Sequence, residues 1–176
     1  MADKTPHQAV RNCLDPLNLA VSCVTRDIFV ASGSDVNTVE SLTLNRGTPS
    51  RLRSTRPLHI TVKQLYRVTK ATEDKGPWKV STAAYYYALH GTKERELLAF
   101  HWHPEAEGQK DPHLHIYAPS NIVDFLVKVH LPTGRIALEQ FLMFLIVEMK
   151  VKPHRPDWEK VLKRTKTAYE KFRTWA

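Results

Sequence analysis

One segment with four histidines constrains the fold more than any other part of this sequence. It contains two His-x-His units, at 101–103 and 113–115, separated by a loop rich in Pro, Gly and acidic residues. In a β-strand, side chains at positions i and i+2 point to the same face. If the two units lie on paired strands, the four imidazoles crowd one patch of a sheet.

In both segments that flank this loop, successive side chains alternate between two faces, and the histidines fall on the same face in each segment. One face carries Leu98, Phe100, Trp102, Leu114 and Ile116, and the opposite face carries His101, His103, His113, His115 and Tyr117. Large apolar side chains on one face and histidines on the other predict a strand pair that packs on a core through its apolar face. The pairing register is not readable from this pattern.

Further β-signals lie upstream and two helical patterns lie downstream. Residues 59–68 alternate as a half-buried strand with Lys63 and Arg67 facing outward, and residues 78–89 are rich in β-formers. An almost wholly apolar helix, capped by Thr133, is predicted from near Arg135 to about Met149, and an amphipathic basic helix follows Pro156. The prediction is an α+β fold: an antiparallel β-meander of about four to six strands, with one buried and one amphipathic C-terminal helix.

The length of 176 residues predicts a single domain, 1–176. Residues 1–18 are polar and are expected to be loose or to form a short helix. Short strands are expected at 19–24 and 27–31, and the Ser/Thr/Arg-rich stretch 32–57 is expected to be a long basic loop.

Composition and charge narrow the functional classes. No apolar run approaches the roughly 18 residues of a membrane span, so no membrane partner is expected. Without an export signal, Cys13 and Cys23 are interpreted as reduced thiols of a cytoplasmic protein. The net charge is +8, and Lys and Arg concentrate in residues 46–79 and 150–176, on either side of the more acidic histidine region. Such basic blocks favour RNA or DNA as a partner, with solvated lysines as the alternative interpretation.

The histidines admit three interpretations. His101, His103, His113 and His115, with Glu105 as an added carboxylate, suit a divalent transition metal such as zinc, manganese or iron. The same four histidines instead suit general acid and base work in phosphodiester cleavage. A polar face without chemistry is the third possibility. Lys63, Arg67, Tyr117, His130 and Arg135 are the candidate substrate-binding residues, with Arg135 and the start of the apolar helix presenting donors to a phosphate.

Two resemblances bear on function. The string Pro112-His113-Leu114-His115-Ile116 resembles the His-hydrophobe-His motif of replication-initiator and relaxase nucleases, which implies a histidine-held divalent metal and a helical tyrosine, here Tyr169. The phase of Tyr169 instead places it on the apolar stripe of the last helix. The likeness covers five residues.

A broader likeness covers roughly residues 78–150. The Tyr-rich strand, the His-x-His hairpin and the apolar helix resemble the layout of small single-domain toxins of bacterial toxin–antitoxin pairs, and of small uncharacterised bacterial proteins with a string like residues 130–135. This resemblance implies action on RNA or nucleotides and a protein partner such as an antitoxin.

Together these features predict a nucleic-acid-directed phosphodiesterase or nuclease that uses the histidines through a metal or as acid and base. A non-enzymatic basic module that binds nucleic acid or protein is the alternative. A histidine-metal oxidoreductase of barrel type is a further alternative, suggested by the His-x-His-x-Glu string at 101–105.

Overall fold

The chain folds as an antiparallel sheet with helices on one face, an α+β architecture. A computed structural model describes residues 4–71, 77–92, 95–105, 107–117 and 131–172. The helices are α1 (Pro6–Val21), α2 (Leu138–Val147) and α3 (Trp158–Phe172). The strands are β1 (Phe29–Ala31), β2 (Glu40–Leu44), β3 (Ser50–Arg51), β4 (His59–Lys70), β5 (Trp78–His90), β6 (Glu96–Trp102), β7 (His113–Ile116) and β8 (Leu131–Pro132).

The described residues form one eight-stranded sheet, more strands than the sequence predicted. Its order is β1-β2-β4-β5-β6-β7-β8, with β3 also paired to β4. The long strands β4 and β5 run side by side over most of their length, with an irregularity at Leu65 and Tyr66. The meander from β4 to β7 therefore forms the middle of the sheet and carries the histidine region.

The core lies between one face of this sheet and the helices. Val62, Tyr87 and Phe100 occupy neighbouring positions on that face of β4, β5 and β6. Phe141 of α2 is 1% exposed and packs its ring on Tyr87 and Phe100, with ring centroids 5.7 and 6.1 Å away. Alternation in the strands thus supplies one apolar layer and the helices supply the other.

Most of the N-terminal segment forms helix α1, in agreement with the helical alternative and not with a loose segment. Thr5 caps α1 by accepting the backbone N–H of Gln8 at 3.2 Å, and Pro6 suits the first helical turn because it lacks an N–H there. Buried residues recur at helical spacing and dock α1 on the core; they are Ala9, Val10, Leu17, Ala20 and Val21. The strand expected at 19–24 was therefore wrong, because its first residues complete this helix, whereas the strand near 27–31 is present as β1.

The stretch 32–57 is not a long loop either. It contains β2, a 3₁₀ turn at Asn45–Gly47, and β3. Leu42 and Leu44 of β2 are each 1% exposed, and this strand pairs with both β1 and β4. Pairing with the long strand β4, distant in the sequence, overrides the loop-like composition.

The two C-terminal helices are present with adjusted ends. Helix α2 begins at Leu138 instead of near Arg135, and its N-cap is Ala137, not Thr133; the Ala137 N–H donates to Oε1 of Gln140 at 3.0 Å. Its inner side is buried, whereas Met143 and Val147 are 37% and 42% exposed. Helix α3 buries Val161, Leu162 and Thr165, as the stripe predicted. Across the described part of the chain, no helix has both the length and the apolar character that crossing a membrane requires.

Candidate metal centre

The histidines lie on the face of the sheet that is turned away from the helices. Strands β6 and β7 pair so that His101 lies directly opposite His113 and Ala99 opposite His115. On the other face, Trp102 pairs with Tyr85 and belongs to the core. The register therefore brings the two His-x-His units together, as the alternation of the sequence predicted.

Three of the four histidines form a compact group of potential metal ligands. One ring nitrogen from each of His101, His113 and His115 lies within 4.8 Å of the other two. A tetrahedral zinc ion bound at about 2.0–2.1 Å to each nitrogen would hold them about 3.4 Å apart. The observed spacing exceeds this value by up to about 1.4 Å, and three such donors would leave at least one coordination position of an ion open.

His113 is the most constrained member of the group. It is 1% exposed, and its Nδ1 lies 2.7 Å from the carbonyl oxygen of Asp111. A carbonyl only accepts hydrogen bonds, so Nδ1 donates this one. Metal-binding histidines in proteins are commonly oriented in this way by a backbone carbonyl or carboxylate. The contact therefore fixes the orientation of the His113 ring within the group.

His103 lies beside the group but outside it. Its ring centroid is 5.5 Å from those of both His101 and His113. Within the described residues, the nitrogens close enough to share one ion belong to His101, His113 and His115. His103 is half-buried and directly follows the end of β6.

Glu105 makes an ion pair rather than joining the histidines. Its Oε2 accepts a hydrogen bond from Nη2 of Arg67 at 2.8 Å, which lowers the pKa of Glu105. The contact ties the loop after β6 to β4 on the histidine face. Two residues that the sequence suggested for separate roles, a metal ligand and a phosphate-binding cation, are thus partners of each other.

We call His101, His113 and His115 the metal group, since they could share one ion. A cross-strand row of register partners links this group to β4. Lys63, Tyr86, His101 and His113 are successive register partners on β4, β5, β6 and β7. The ring of Tyr86 lies 4.8 Å from that of His101, and Lys63 is exposed. Two strand spacings place the Lys63 backbone about 10 Å from that of His101, so its flexible ammonium can approach an anion at the metal group.

Tyr86 and Tyr117 border the histidines on the same face. Tyr117 stacks on His115 with a centroid distance of 5.8 Å, and the Tyr86 hydroxyl donates to Oε2 of Glu96. Burial raises the pKa of both tyrosines, and a hydrogen bond to Glu96 raises each further, so both hydroxyls stay protonated near neutral pH. The sequence alone did not single out Tyr86 as a site residue; its register opposite His101 places it beside the histidines.

Arg135 and His130 are the remaining candidate substrate-binding residues from the sequence. The guanidinium of Arg135 lies 4.0 Å from the ring centroid of Trp102, a cation–π contact with a core residue. Arg135 is therefore placed against Trp102 and not among the histidines. His130 falls outside the described residues.

A second histidine pair lies elsewhere on the sheet face that carries His101 and His113. His59 and His90 are direct partners on β4 and β5, and His90 pairs in turn with Glu96 of β6. Among the described residues, this pair is not part of the group that can share one ion. It therefore offers histidine controls on the same face.

Comparison of the chain with protein-family models, curated proteins and solved structures found no match. The case for a function therefore depends on the geometry of the site.

Proposed function

We propose that the protein is a metal-dependent phosphodiesterase acting on RNA or DNA, with His101, His113 and His115 holding one divalent transition-metal ion. The observation that carries the proposal is the convergence of these three imidazole nitrogens within 4.8 Å. Three protein ligands with an open position are typical of catalytic sites, whereas structural zinc sites are closed by four. Among the candidate metals, an all-imidazole set favours zinc or iron over manganese, which prefers oxygen ligands.

Such an ion, if bound by these histidines, would supply a Lewis acid and would lower the pKa of water. In hydrolysis, the oxygen of water bonds to phosphorus and gives up one proton, while the P–O ester bond breaks and the leaving oxygen gains one proton. His103 is our candidate for proton transfer, because its ring lies beside His101 and His113 without belonging to the metal group. Lys63, at the exposed end of the cross-strand row, is our candidate for binding the phosphate charge.

The test uses tag-free protein, stripped with a chelator and reloaded with zinc, manganese or iron(II). Labelled RNA and DNA strands are incubated with each form, with His101→Ala, and with Lys63→Ala. Lys70→Ala, another exposed lysine of β4, is the matched control. We expect cleavage only with metal, its loss in His101→Ala, and weaker substrate binding in Lys63→Ala but not in Lys70→Ala.

Two results would contradict the proposal. Cleavage that persists with chelator and in His101→Ala would remove the metal from the mechanism and favour acid–base catalysis by histidines. Salt-sensitive binding without cleavage by any metal-loaded form would favour a non-enzymatic binding module.

A further inference from the structure

The two basic blocks of the sequence meet in the folded chain. The backbone N–H of Lys152 donates to the carbonyl of Arg53 at 2.7 Å. The guanidinium of Arg53 donates to the carbonyl of Pro153 at 3.4 Å. Arg53 belongs to the first block and Lys152 to the second, so hydrogen bonds between distant segments join the two blocks directly.

A third segment adds another cation to this junction. The backbone N–H of His154 donates to the carbonyl of Cys23 at 2.8 Å, and Arg26 follows three residues later. Burial lowers the pKa of His154, and the charges of Arg53 and Arg26 lower it further. The side chains of Arg26, Arg53 and Lys152 are exposed around a half-buried His154. We call these four residues the basic junction.

The cations of the basic junction form no ion pair among the described residues, and Asp27 next to Arg26 instead accepts a hydrogen bond from Thr25. Among residues that the structure describes, the ion pairs within 4.0 Å are Arg67 with Glu105 and Arg155 with Asp157. Arg155, directly after His154, thus has a carboxylate partner, whereas Arg26, Arg53 and Lys152 have none in this part of the chain. Concentrated like charges repel one another and raise the free energy of the folded state unless an anion binds there.

The shape of the junction favours an extended polyanion over a single ion. Its cations are exposed and come from three segments, instead of converging in a buried pocket. Helix α3 begins four residues after His154 and carries three exposed cations, Lys160, Lys163 and Arg164, beside one exposed carboxylate, Glu159. A series of separated cations matches the regularly spaced phosphates of a nucleic-acid strand.

We propose that the basic junction is a docking site for the phosphodiester backbone of a nucleic acid, separate from the metal group. The choice of nucleic acid as ligand rests on the proposed function. The existence of the cationic surface does not.

The test measures binding without catalysis. Labelled single-stranded RNA and DNA are titrated with full-length protein in excess chelator, and binding is followed by fluorescence anisotropy between about 50 and 200 mM salt. The variants are Arg26→Glu and Arg53→Glu. Arg11→Glu, an exposed position of α1, changes the net charge equally and is the matched control. Circular dichroism verifies that all variants fold.

We expect each junction variant to weaken binding by about fivefold or more near 0.1 M salt, and to reduce the slope of log K against log salt by about 0.7. Arg11→Glu should leave the affinity within about twofold of that of the wild type and should not change the slope, because it removes no phosphate contact. Equal losses in all three variants, or no salt-sensitive binding by the wild type, would overturn the docking site. Tighter binding to vesicles containing phosphatidylserine than to either strand would overturn the choice of nucleic acid.

These outcomes are distinguishable from those of the hydrolase test. Because the titration contains no metal, a failure of catalysis leaves the binding result intact. Metal-dependent cleavage with unchanged binding in Arg53→Glu would retain the hydrolase and eliminate the basic junction.

Discussion

Replacing His113 with alanine should have two separable effects, one on the metal-free protein and one on its response to metal. His113 is 1% exposed and its Nδ1–H is bonded to the Asp111 carbonyl at 2.7 Å. The substitution removes this hydrogen bond together with the packing of a buried ring, which costs about 1–3 kcal/mol. For a chain of this size, each kcal/mol corresponds to about 2–4 °C in Tm. The metal-free variant should therefore melt about 2–12 °C below the wild type.

The metal response follows from mass action. A ligand at a hundredfold excess over its Kd stabilises the folded state by about 2.7 kcal/mol. In the wild type, such an excess of zinc should raise Tm by about 5–11 °C. The response should disappear in both His113→Ala and His115→Ala, since each removes one of three ligands.

The two variants differ in the metal-free state. His115 is only half-buried, so its replacement should cost about 1 kcal/mol or less. His7→Ala, on the exposed side of α1, is the control and should retain the full zinc response. The assay is a melting curve of tag-free protein with and without zinc. A wild type that does not respond, or a His113→Ala variant that responds fully, would refute the three-histidine site.

Two further predictions concern the core. Phe141→Ala should lower the free energy of unfolding by about 3–5 kcal/mol in urea titrations, since the ring is 1% exposed and packs on Tyr87 and Phe100. Met143→Ala on the exposed side of α2 should cost about 1 kcal/mol or less, and equal costs would contradict this assignment of the buried side. Burial raises the pKa of Cys23 from 9.0 to about 11, so iodoacetamide at pH 8 should label half-buried Cys13 first. The folded state holds the Cys23 thiol proton more tightly than the unfolded state does. The resulting contribution to the free energy of unfolding is therefore fully present below pH 9 and is lost between about pH 9 and 11. The free energy of unfolding of Cys23→Ala, which lacks the thiol, should not show this loss between about pH 9 and 11. In the labelling experiment, equal reaction of Cys13 and Cys23 with iodoacetamide would contradict the burial of Cys23.

Several features of this fold were predictable because their signals are local. The period-two alternation around His101 and His113 assigned the histidines to one face and Trp102 to the other, which the structure confirms. The stripe of α3 likewise predicted the side that it buries, whereas the almost wholly apolar α2 predicted burial without a particular side, and Met143 and Val147 are exposed. In each case, neighbouring residues alone determine which side chains share a face.

The errors arose where long-range contacts outweigh local composition. Helix α1 looked polar, yet a few apolar residues at helical spacing dock it on the core. Strand β2 lies in a Ser/Thr-rich stretch and forms because β4 offers it a partner. Local sequence does not encode the presence of such a distant partner.

The sequence by itself determined that the histidines share one face, because side-chain direction in a strand depends only on position along the chain. Tertiary structure alone decided which of them lie close enough to share a metal ion, because the register places His101 opposite His113 and leaves His103 beside them. It also paired Arg67 with Glu105, placed Tyr86 at the site, and joined Arg53 to Lys152. These contacts form between segments that are distant in the sequence, so they depend on strand register and on the packing of the whole chain.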